Sequence, residues 1–330
     1  MTDDSALTIV DFQNCGPEKY DKSKQSMKAA SRKIYEALST KGYVCIQNCG
    51  IGSSEITDIF ENASTFFRLD NDIKLKYRMD QDIIGYVPFD GDMKFSHVLP
   101  NGKEALYVTG AGFALPNMNW PSDQYVPDFS ENIKELGEKL RKLANLMMDI
   151  IAEEMQLQDR QYFRKLTSRM NQSGNYTMIR INHYPPVDDN QKLPQGTCRL
   201  VEHTDLTFIS FIFRNTQGGL QMLDKNEEYI DIPFVPNSML IITGDLIQKC
   251  TGGKIPAIKH RVVVSDNLDM RKDRISMNYF VRADNEVPVE DIEIGSTDLG
   301  SSNYRWTAGA KTMGEIIRNE AKWSYGVKAT

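Results

Sequence analysis

Between residues 174 and 283 the sequence consists of short apolar segments separated by turn-forming residues. Several short strands with turn signals between them are typical of antiparallel β proteins that form a sandwich or a closed barrel. We therefore predict a β core over this region, built from the segments YTMIRINHYPP, LVEHTDLTFISFIF, GGLQML, SMLIITGD, HRVVV and ISMNYFV.

Helical patterns lie on both sides of this core. Residues 26–51 predict a helix, a stop at Gly42 and a strand. In residues 130–157, apolar side chains recur at steps of three and four, and Ser130 can cap the helix. Residues 312–323 predict a closing helix.

The chain has no internal repeat and no flexible linker, so we expect residues 1–330 to form a single unit. Within it, residues 1–128 form an N-terminal helical and mixed region, and residues 174–283 form the β core. Loops and short strands over residues 85–128 are placed to cover a site.

Charge and composition exclude several classes of protein. The net charge is -6 at pH 7, and the absence of a basic cluster argues against nucleic acid and membrane surfaces as partners. Neither a signal peptide nor an 18-residue apolar run is present. An odd number of cysteines, five, without a CxxC motif favours a reducing, cytoplasmic location. No oligomerisation signal is evident, so a monomer is expected.

The segment VEHTDL places two ionisable residues in an apolar run. If this segment is one strand, His203 and Asp205 project from the same face, about 6–7 Å apart along the strand. Buried ionisable groups are costly unless they are paired or bind a metal. The pair therefore indicates either a metal site or a His–Asp hydrogen bond at a strand end.

A third candidate ligand, His260, begins the segment HRVVV. Two histidines and one carboxylate form the facial triad of non-haem Fe(II), although zinc hydrolases use similar ligands. Further along, Arg274 and Ser276 share a strand face and suit a carboxylate, because guanidinium binds carboxylate in a bidentate manner. A surface arginine is the alternative.

The order HTD, H and RIS resembles the Fe(II)- and 2-oxoglutarate-dependent dioxygenases of the isopenicillin N synthase-like family. The resemblance extends over nearly the whole chain, although Cys49 stands where the family commonly has histidine. Its collinear motifs are LTIVDF (7–12), KGYVCIQNCGI (41–51), INHYPP (181–186), GGLQM (218–222), VPNSMLIITGDLIQKCTGGKIPAIKHRV (235–262) and TMGEII (312–317).

The resemblance implies a mainly β fold with flanking helices and a double-stranded β-helix core, which is a distorted jelly roll. It implies iron ligands at His203, Asp205 and His260. It also implies cosubstrate contacts at Arg274, Ser276, Tyr184 and Asn182. Decarboxylation of 2-oxoglutarate with O2 then drives hydroxylation, desaturation or ring closure of a small molecule, with ascorbate as a compatible reductant.

The resemblance also implies a set of substrate contacts, namely Arg180, Phe280, Arg282, Leu106 and Val108. Two arginines directed at the site of an acidic protein favour an anionic, amino-acid-derived substrate. The alternative for Arg282 is a solvated strand end that pairs with Asp284 or Glu286.

Three other functions fit parts of the pattern. An iron oxidase of the same family that does not use 2-oxoglutarate keeps the RxS pair, although Asn182 and Tyr184 favour users of 2-oxoglutarate. A non-catalytic binding protein is compatible with the fold alone. A zinc hydrolase leaves Arg274 and Ser276 unexplained. Of the remaining histidines, His183 is predicted to be structural, and His97 to lie on the surface or a pocket rim.

Overall fold

The computed structural model describes residues 7–13, 25–80, 82–88, 102–114, 120–186, 197–264, 272–288 and 309–325. The strands in these residues are β1 Ile9–Asp11, β2 Tyr43–Gln47, β3 Gly85–Val87, β4 Glu104–Thr109, β5 Met178–Tyr184, β6 Cys198–His203, β7 Ile209–Arg214, β8 Leu220–Leu223, β9 Tyr229–Asp231, β10 Ser238–Thr243, β11 His260–Val263 and β12 Arg274–Val281. The α-helices are α1 Gln25–Lys41, α2 Ser53–Phe67, α3 Asn71–Lys74, α4 Gly110–Ala114, α5 Phe129–Glu154, α6 Tyr162–Leu166, α7 Asp245–Cys250 and α8 Met313–Tyr325.

The strands form two sheets that face each other. The larger sheet has the order β1-β2-β10-β7-β12-β5-β4-β3, and the smaller has the order β6-β11-β8-β9. One hydrophobic cluster draws residues from β2, β5, β7 and β10 of the larger sheet and from β8 and β11 of the smaller one. The predicted mainly β fold with a jelly-roll core is therefore confirmed.

Helices cover the outer face of the larger sheet. The apolar spacing of α5 places one stripe of side chains, including Ile133 and Leu140, in the same core cluster as Ile179 of β5 and Met277 of β12. A stripe of this kind is stable only when another surface covers it, so the helix and the sheet bury each other. Within the described residues, no helix is long and apolar enough to cross a membrane.

Two element boundaries differ from the sequence expectation. Helix α5 begins at Phe129 after Asp128, whose φ is +56°, so Ser130 already lies inside the helix and does not cap it. The predicted strand around VEHTDLTFISFIF is in fact two strands: β6 ends at His203, and β7 begins at Ile209 in the other sheet. Polar residues occur where the chain crosses between the sheets.

Candidate metal and cosubstrate site

The two candidate histidine ligands are neighbours across a strand pair. His203 ends β6 and His260 begins β11, and the two residues are directly paired in the antiparallel ladder. Their ring centroids lie 4.2 Å apart. The register of the smaller sheet thus brings together two imidazoles that are distant in sequence.

Backbone carbonyls fix the orientation of both rings. Nδ1 of His203 lies 2.8 Å from the carbonyl oxygen of Val201, and Nδ1 of His260 lies 3.3 Å from that of Ile258. A carbonyl only accepts hydrogen bonds, so Nδ1 carries the proton and Nε2 keeps a free lone pair. Metal-binding histidines are commonly held in this way.

The third candidate ligand is held by the backbone that follows it. The amide of Asp245 donates to the carbonyl of Asp205 at 2.9 Å, and the amide of Leu246 donates to that of Thr207 at 3.0 Å. Both amides belong to the first turn of α7, where N–H groups lack partners within the helix. A Cβ at Gly244 would lie 2.4 Å from both carbonyl oxygens, so this approach requires glycine.

The side chain of Asp205 directs one oxygen at the histidines. Ser210 donates to its Oδ2 at 2.7 Å, while Oδ1 lies 3.6 Å from Nε2 of His203 and 3.8 Å from Nε2 of His260. Burial opposes ionisation of Asp205, but the two histidines, the Ser210 hydrogen bond and Arg180 together hold its pKa below the usual value. Burial and the charge of His260 lower the pKa of His203.

These residues fit a metal ion. One ligand atom from each of His203, Asp205 and His260 lies within 4.8 Å of the other two. The set offers two neutral imidazole nitrogens and one carboxylate oxygen, while Nδ1 of each ring and Oδ2 already have partners. A 2-His-1-carboxylate set is the ligand pattern of non-haem Fe(II) sites that leave positions open.

The candidate cosubstrate residues face one another across β5 and β12. Directly paired residues of an antiparallel ladder project from the same face of the sheet. The pairs on this face are Arg274 with Tyr184, Ser276 with Asn182, and Asn278 with Arg180. The predicted alternation along both strands therefore agrees with the observed register.

The guanidinium of Arg274 is buried and incompletely satisfied. Its Nε donates to the carbonyl of Gly218 at 3.0 Å, and its carbon lies 4.7 Å from the ring centroid of Tyr184. Nη1 is buried without a hydrogen-bond partner, as is Oδ1 of Asn182, whose amide donates to Ser276 at 3.4 Å. A buried N–H group without a partner is costly, so Nη1 of Arg274 fits a ligand with a carboxylate, whereas Oδ1 of Asn182 fits a hydrogen-bond donor.

The two arginines predicted to contact substrate have different surroundings. Arg180 lies on the site face, where its guanidinium carbon is 4.6 Å from the ring centroid of Phe280 and 5.9 Å from that of Tyr107. Arg282 follows β12, is buried, and pairs with Glu320 of α8 at 3.5 Å. It therefore has neither the solvated position nor the acidic partners of the alternative interpretation.

The predicted placement of Leu106 and Val108 on the substrate side is wrong. These residues pair with Ile181 and Ile179 of β5, on the face that packs against the helices. The side chain of β4 that reaches the site face is the intervening Tyr107, which is opposite Arg180. The sequence does not reveal the phase of β4, because that phase depends on its pairing with β5.

His183 faces away from the site, as predicted for a structural residue. Its Nδ1 lies 2.9 Å from Glu104, its Nε2 lies 2.7 Å from Asp273, and its ring stacks on Phe67. Residue His97 lies outside the described residues. Four further residues near the site were not predicted from the sequence, although a polar residue within an apolar strand was the available signal: Ser210, Tyr107, Arg199 and Arg214.

Comparison with known families agrees with this geometry. Residues 175–283 match the 2OG-Fe(II) oxygenase superfamily, and residues 7–122 match the N-terminal region of non-haem dioxygenases of the kind described from morphine synthesis. Together the two matches cover more than half of the chain. The chain belongs to the 2OG-Fe(II) oxygenase superfamily. It is thus an Fe(II)- and 2-oxoglutarate-dependent oxidoreductase that uses O2.

Individual relatives of this oxygenase are distant in sequence. It is 28% identical over 278 residues to the 2-oxoglutarate-Fe(II) type oxidoreductase ppzD of Metarhizium majus, covering 76% of this chain and 77% of that protein. It is 28% identical over 300 residues to the proline hydroxylase buaE of Petromyces alliaceus, covering 87% and 89%. The structure of a full-length Neurospora crassa protein in complex with alpha-KG and thymine has a TM-score of 0.75, 22% identity, and coverage of 98% and 99%.

Proposed function

We propose that the enzyme oxidises one C–H bond of a small, carboxylate-bearing, amino-acid-derived molecule. In this proposal His203, Asp205 and His260 hold Fe(II), and Arg274 with Ser276 holds the distal carboxylate of 2-oxoglutarate. The observation that carries it is the convergence of the three ligand atoms, each on a side chain whose other polar atom is already hydrogen bonded.

The bound iron and 2-oxoglutarate supply the oxidising chemistry together with O2. The protein binds and orients the two organic molecules. Tyr184 and Asn182 border the cosubstrate position on β5, and the ring of Phe280 borders the substrate position on β12. Burial of Asp205 and His260 limits access of water to these groups, which protects the oxidising step from side reactions.

The proposed carboxylate contact is Arg180. It lies opposite Asn278 on the face that β5 and β12 share, and its charge contributes to lowering the pKa of both His203 and Asp205. Arg282 pairs with Glu320 of α8, whereas Arg180 lies within the strand face that also carries Asn182 and Tyr184. The proline hydroxylase among the relatives supports an amino-acid-derived substrate.

The test is formation of succinate by the purified protein with Fe(II), 2-oxoglutarate and a panel of small carboxylic acids. We expect one class of acid to stimulate succinate formation, and the mass of the product to separate hydroxylation from desaturation or ring closure. Product formation without 2-oxoglutarate would support the oxidase alternative. Tight metal binding with no turnover of any compound would support the non-catalytic alternative.

A substitution tests the substrate class. Arg180→Gln is expected to raise the substrate KM about tenfold or more, since a charge-assisted hydrogen bond contributes about 1.5–3 kcal/mol. The KM for 2-oxoglutarate should stay nearly unchanged. Arg160→Gln, at an exposed arginine paired with Glu153, is the matched control. A preferred substrate that is neutral and aromatic would contradict the proposal.

We further propose that residues 1–330 act as one unit, as a monomer in the cytoplasm. Four cysteines of the described residues are free, which suits a reducing compartment. Measurement of the molar mass in solution tests the monomer.

A further inference from the structure

An additional arginine lies beside Arg274 and Ser276, the residues proposed to bind the distal carboxylate of the cosubstrate. Arg214 ends β7 and is directly paired with Ser276 of β12. Directly paired residues have Cβ atoms about 4.5–5.5 Å apart and project from the same face. The Cβ atom of Arg214 therefore lies next to that of Ser276, which is proposed to bind the cosubstrate.

Backbone carbonyls hold one side of this guanidinium. Nη2 of Arg214 donates to the carbonyl of Ile232 at 2.8 Å and also to that of Pro233. Nη1 is buried and has no hydrogen-bond partner. Arg274 is arranged in the same way: Nε donates to Gly218, and Nη1 is buried without a partner. Each arginine is thus fixed in place and retains an unused N–H group.

The charges of the two arginines are also uncompensated. No ion pair joins either one to a carboxylate within the described residues. Burial lowers the pKa of Arg214 to about 10, and the charge of Arg274 contributes to the shift. Arginine side chains are protonated at neutral pH. Arg274 is buried and Arg214 is partly buried, and both lie on the face that β7 and β12 share. An anion that binds to both groups would compensate their charges.

We propose that Arg214 is a second guanidinium contact for the distal carboxylate of 2-oxoglutarate, alongside Arg274 and Ser276. The inference rests on the proposed function, in which that carboxylate binds at Arg274. A carboxylate has about four lone-pair sites, so it can accept hydrogen bonds from both Nη1 groups. Arg214 then increases the preference of the enzyme for a dicarboxylate over a 2-oxo acid that lacks the second carboxylate.

The test measures binding by calorimetry, with the full chain loaded with Mn²⁺ in place of iron. The two probes are 2-oxoglutarate and 2-oxopentanoate, which has the same five-carbon chain without the distal carboxylate. We expect Arg214→Gln to raise the Kd of 2-oxoglutarate about 10- to 100-fold. The Kd of 2-oxopentanoate should change by less than about twofold, because this probe has no group for Arg214 to bind.

A role for Arg214 in structure alone predicts a different pattern. In that case the Kd values of both probes rise by the same factor, or neither changes, and either result overturns the inference. Arg214→Lys keeps a cation near the two carbonyls, and it replaces Arg214→Gln in the binding test if the glutamine variant does not fold. It should show a smaller rise that is again confined to 2-oxoglutarate. Arg160→Gln is the control for loss of one positive charge.

The same experiment separates this inference from the proposed function. If the wild-type protein does not bind 2-oxoglutarate, the proposed function itself fails. If the wild-type protein and Arg214→Gln bind 2-oxoglutarate equally while Arg274→Gln does not bind it, only the role of Arg214 is wrong.

Discussion

Each proposed metal ligand is held by a hydrogen bond to an atom that is not directed at the metal position. His203 and His260 present Nε2 because a carbonyl occupies Nδ1, and Asp205 presents Oδ1 because Ser210 occupies Oδ2. Such outer contacts fix the orientation of a ligand before the metal arrives. Residues that never touch the metal should therefore influence metal affinity.

Ser210→Ala tests this dependence. Loss of its hydrogen bond frees Asp205 to rotate, so we expect metal affinity to fall about 10- to 100-fold with little change in fold. Equilibrium titration with Mn²⁺ measures the change. Ser64→Ala, which removes a hydroxyl bonded to a carbonyl within helix α2, should have no effect on affinity. Equal affinities in the Ser210 variant and the wild type would contradict the proposed role.

Gly244→Ala tests the position of the ligand backbone. The added Cβ would lie 2.4 Å from the carbonyl oxygens of Asp205 and Thr207, so the crossing between sheets must shift. We expect a loss of about 1–3 kcal/mol in the free energy of unfolding together with weaker metal binding. Gly52→Ala is the control, because its Cβ would meet only Ser54 Oγ at 3.6 Å. Denaturant unfolding and metal titration of both variants provide the comparison.

At the scale of strands, regular pairing determines which side chains a sequence pattern can place on the same face. Alternation along β5 and β12 predicted which side chains share the site face, because the two strands pair without a register shift inside the larger sheet. Alternation did not apply to Asp205, since β6 ends at His203 and Asp205 lies in the segment that crosses to the other sheet. It also could not place Leu106, whose side depends on the register of β4 with β5, a non-local contact that no local pattern encodes.

A buried charged network links strands β4, β5 and β12 behind the site. Glu104 of β4 accepts hydrogen bonds from Lys74 at 2.8 Å and from Tyr86, and contacts His183 of β5, which also contacts Asp273 just before β12. Glu104→Ala leaves buried partners without their counter-charge. We therefore expect it to lower the free energy of unfolding by about 3–5 kcal/mol. Glu138→Ala, on the surface of α5, should cost far less.

The same network predicts a dependence of stability on pH. Burial opposes ionisation of Glu104, but hydrogen bonds from His183, Lys74 and Tyr86 together lower its pKa below the ordinary value of 4.5. A lowered folded-state pKa means that the carboxylate stabilises the fold above pH 4.5 and that this contribution is lost as pH falls below it. Glu104→Gln should flatten the decline of stability below pH 4.5. A decline as steep as that of the wild type would contradict this assignment.

At the scale of the whole molecule, the site joins parts of the chain that are far apart in sequence. The proposed metal ligands come from the smaller sheet and from the segment that crosses between the sheets, and the proposed cosubstrate residues come from the larger sheet. A metal ion and a cosubstrate that bind to residues of both sheets can do so only in the folded state, where the two sheets lie together. Binding of metal and cosubstrate should therefore increase the free energy of global unfolding, and the effect should not be confined to the strand ends that carry the site.

Thermal unfolding with and without ligands tests this coupling. At a ligand concentration about 100 times its Kd, binding to the folded state alone adds about 2.7 kcal/mol to the free energy of unfolding. We expect Mn²⁺ to raise the Tm, and 2-oxoglutarate to raise it further only when Mn²⁺ is present. Asp205→Ala should lose both increases, because without the metal the keto-acid end has nothing to chelate. Arg274→Gln should keep the metal increase and lose the second one. A Tm increase from 2-oxoglutarate that survives in Arg274→Gln would place the cosubstrate somewhere other than the face shared by β5 and β12.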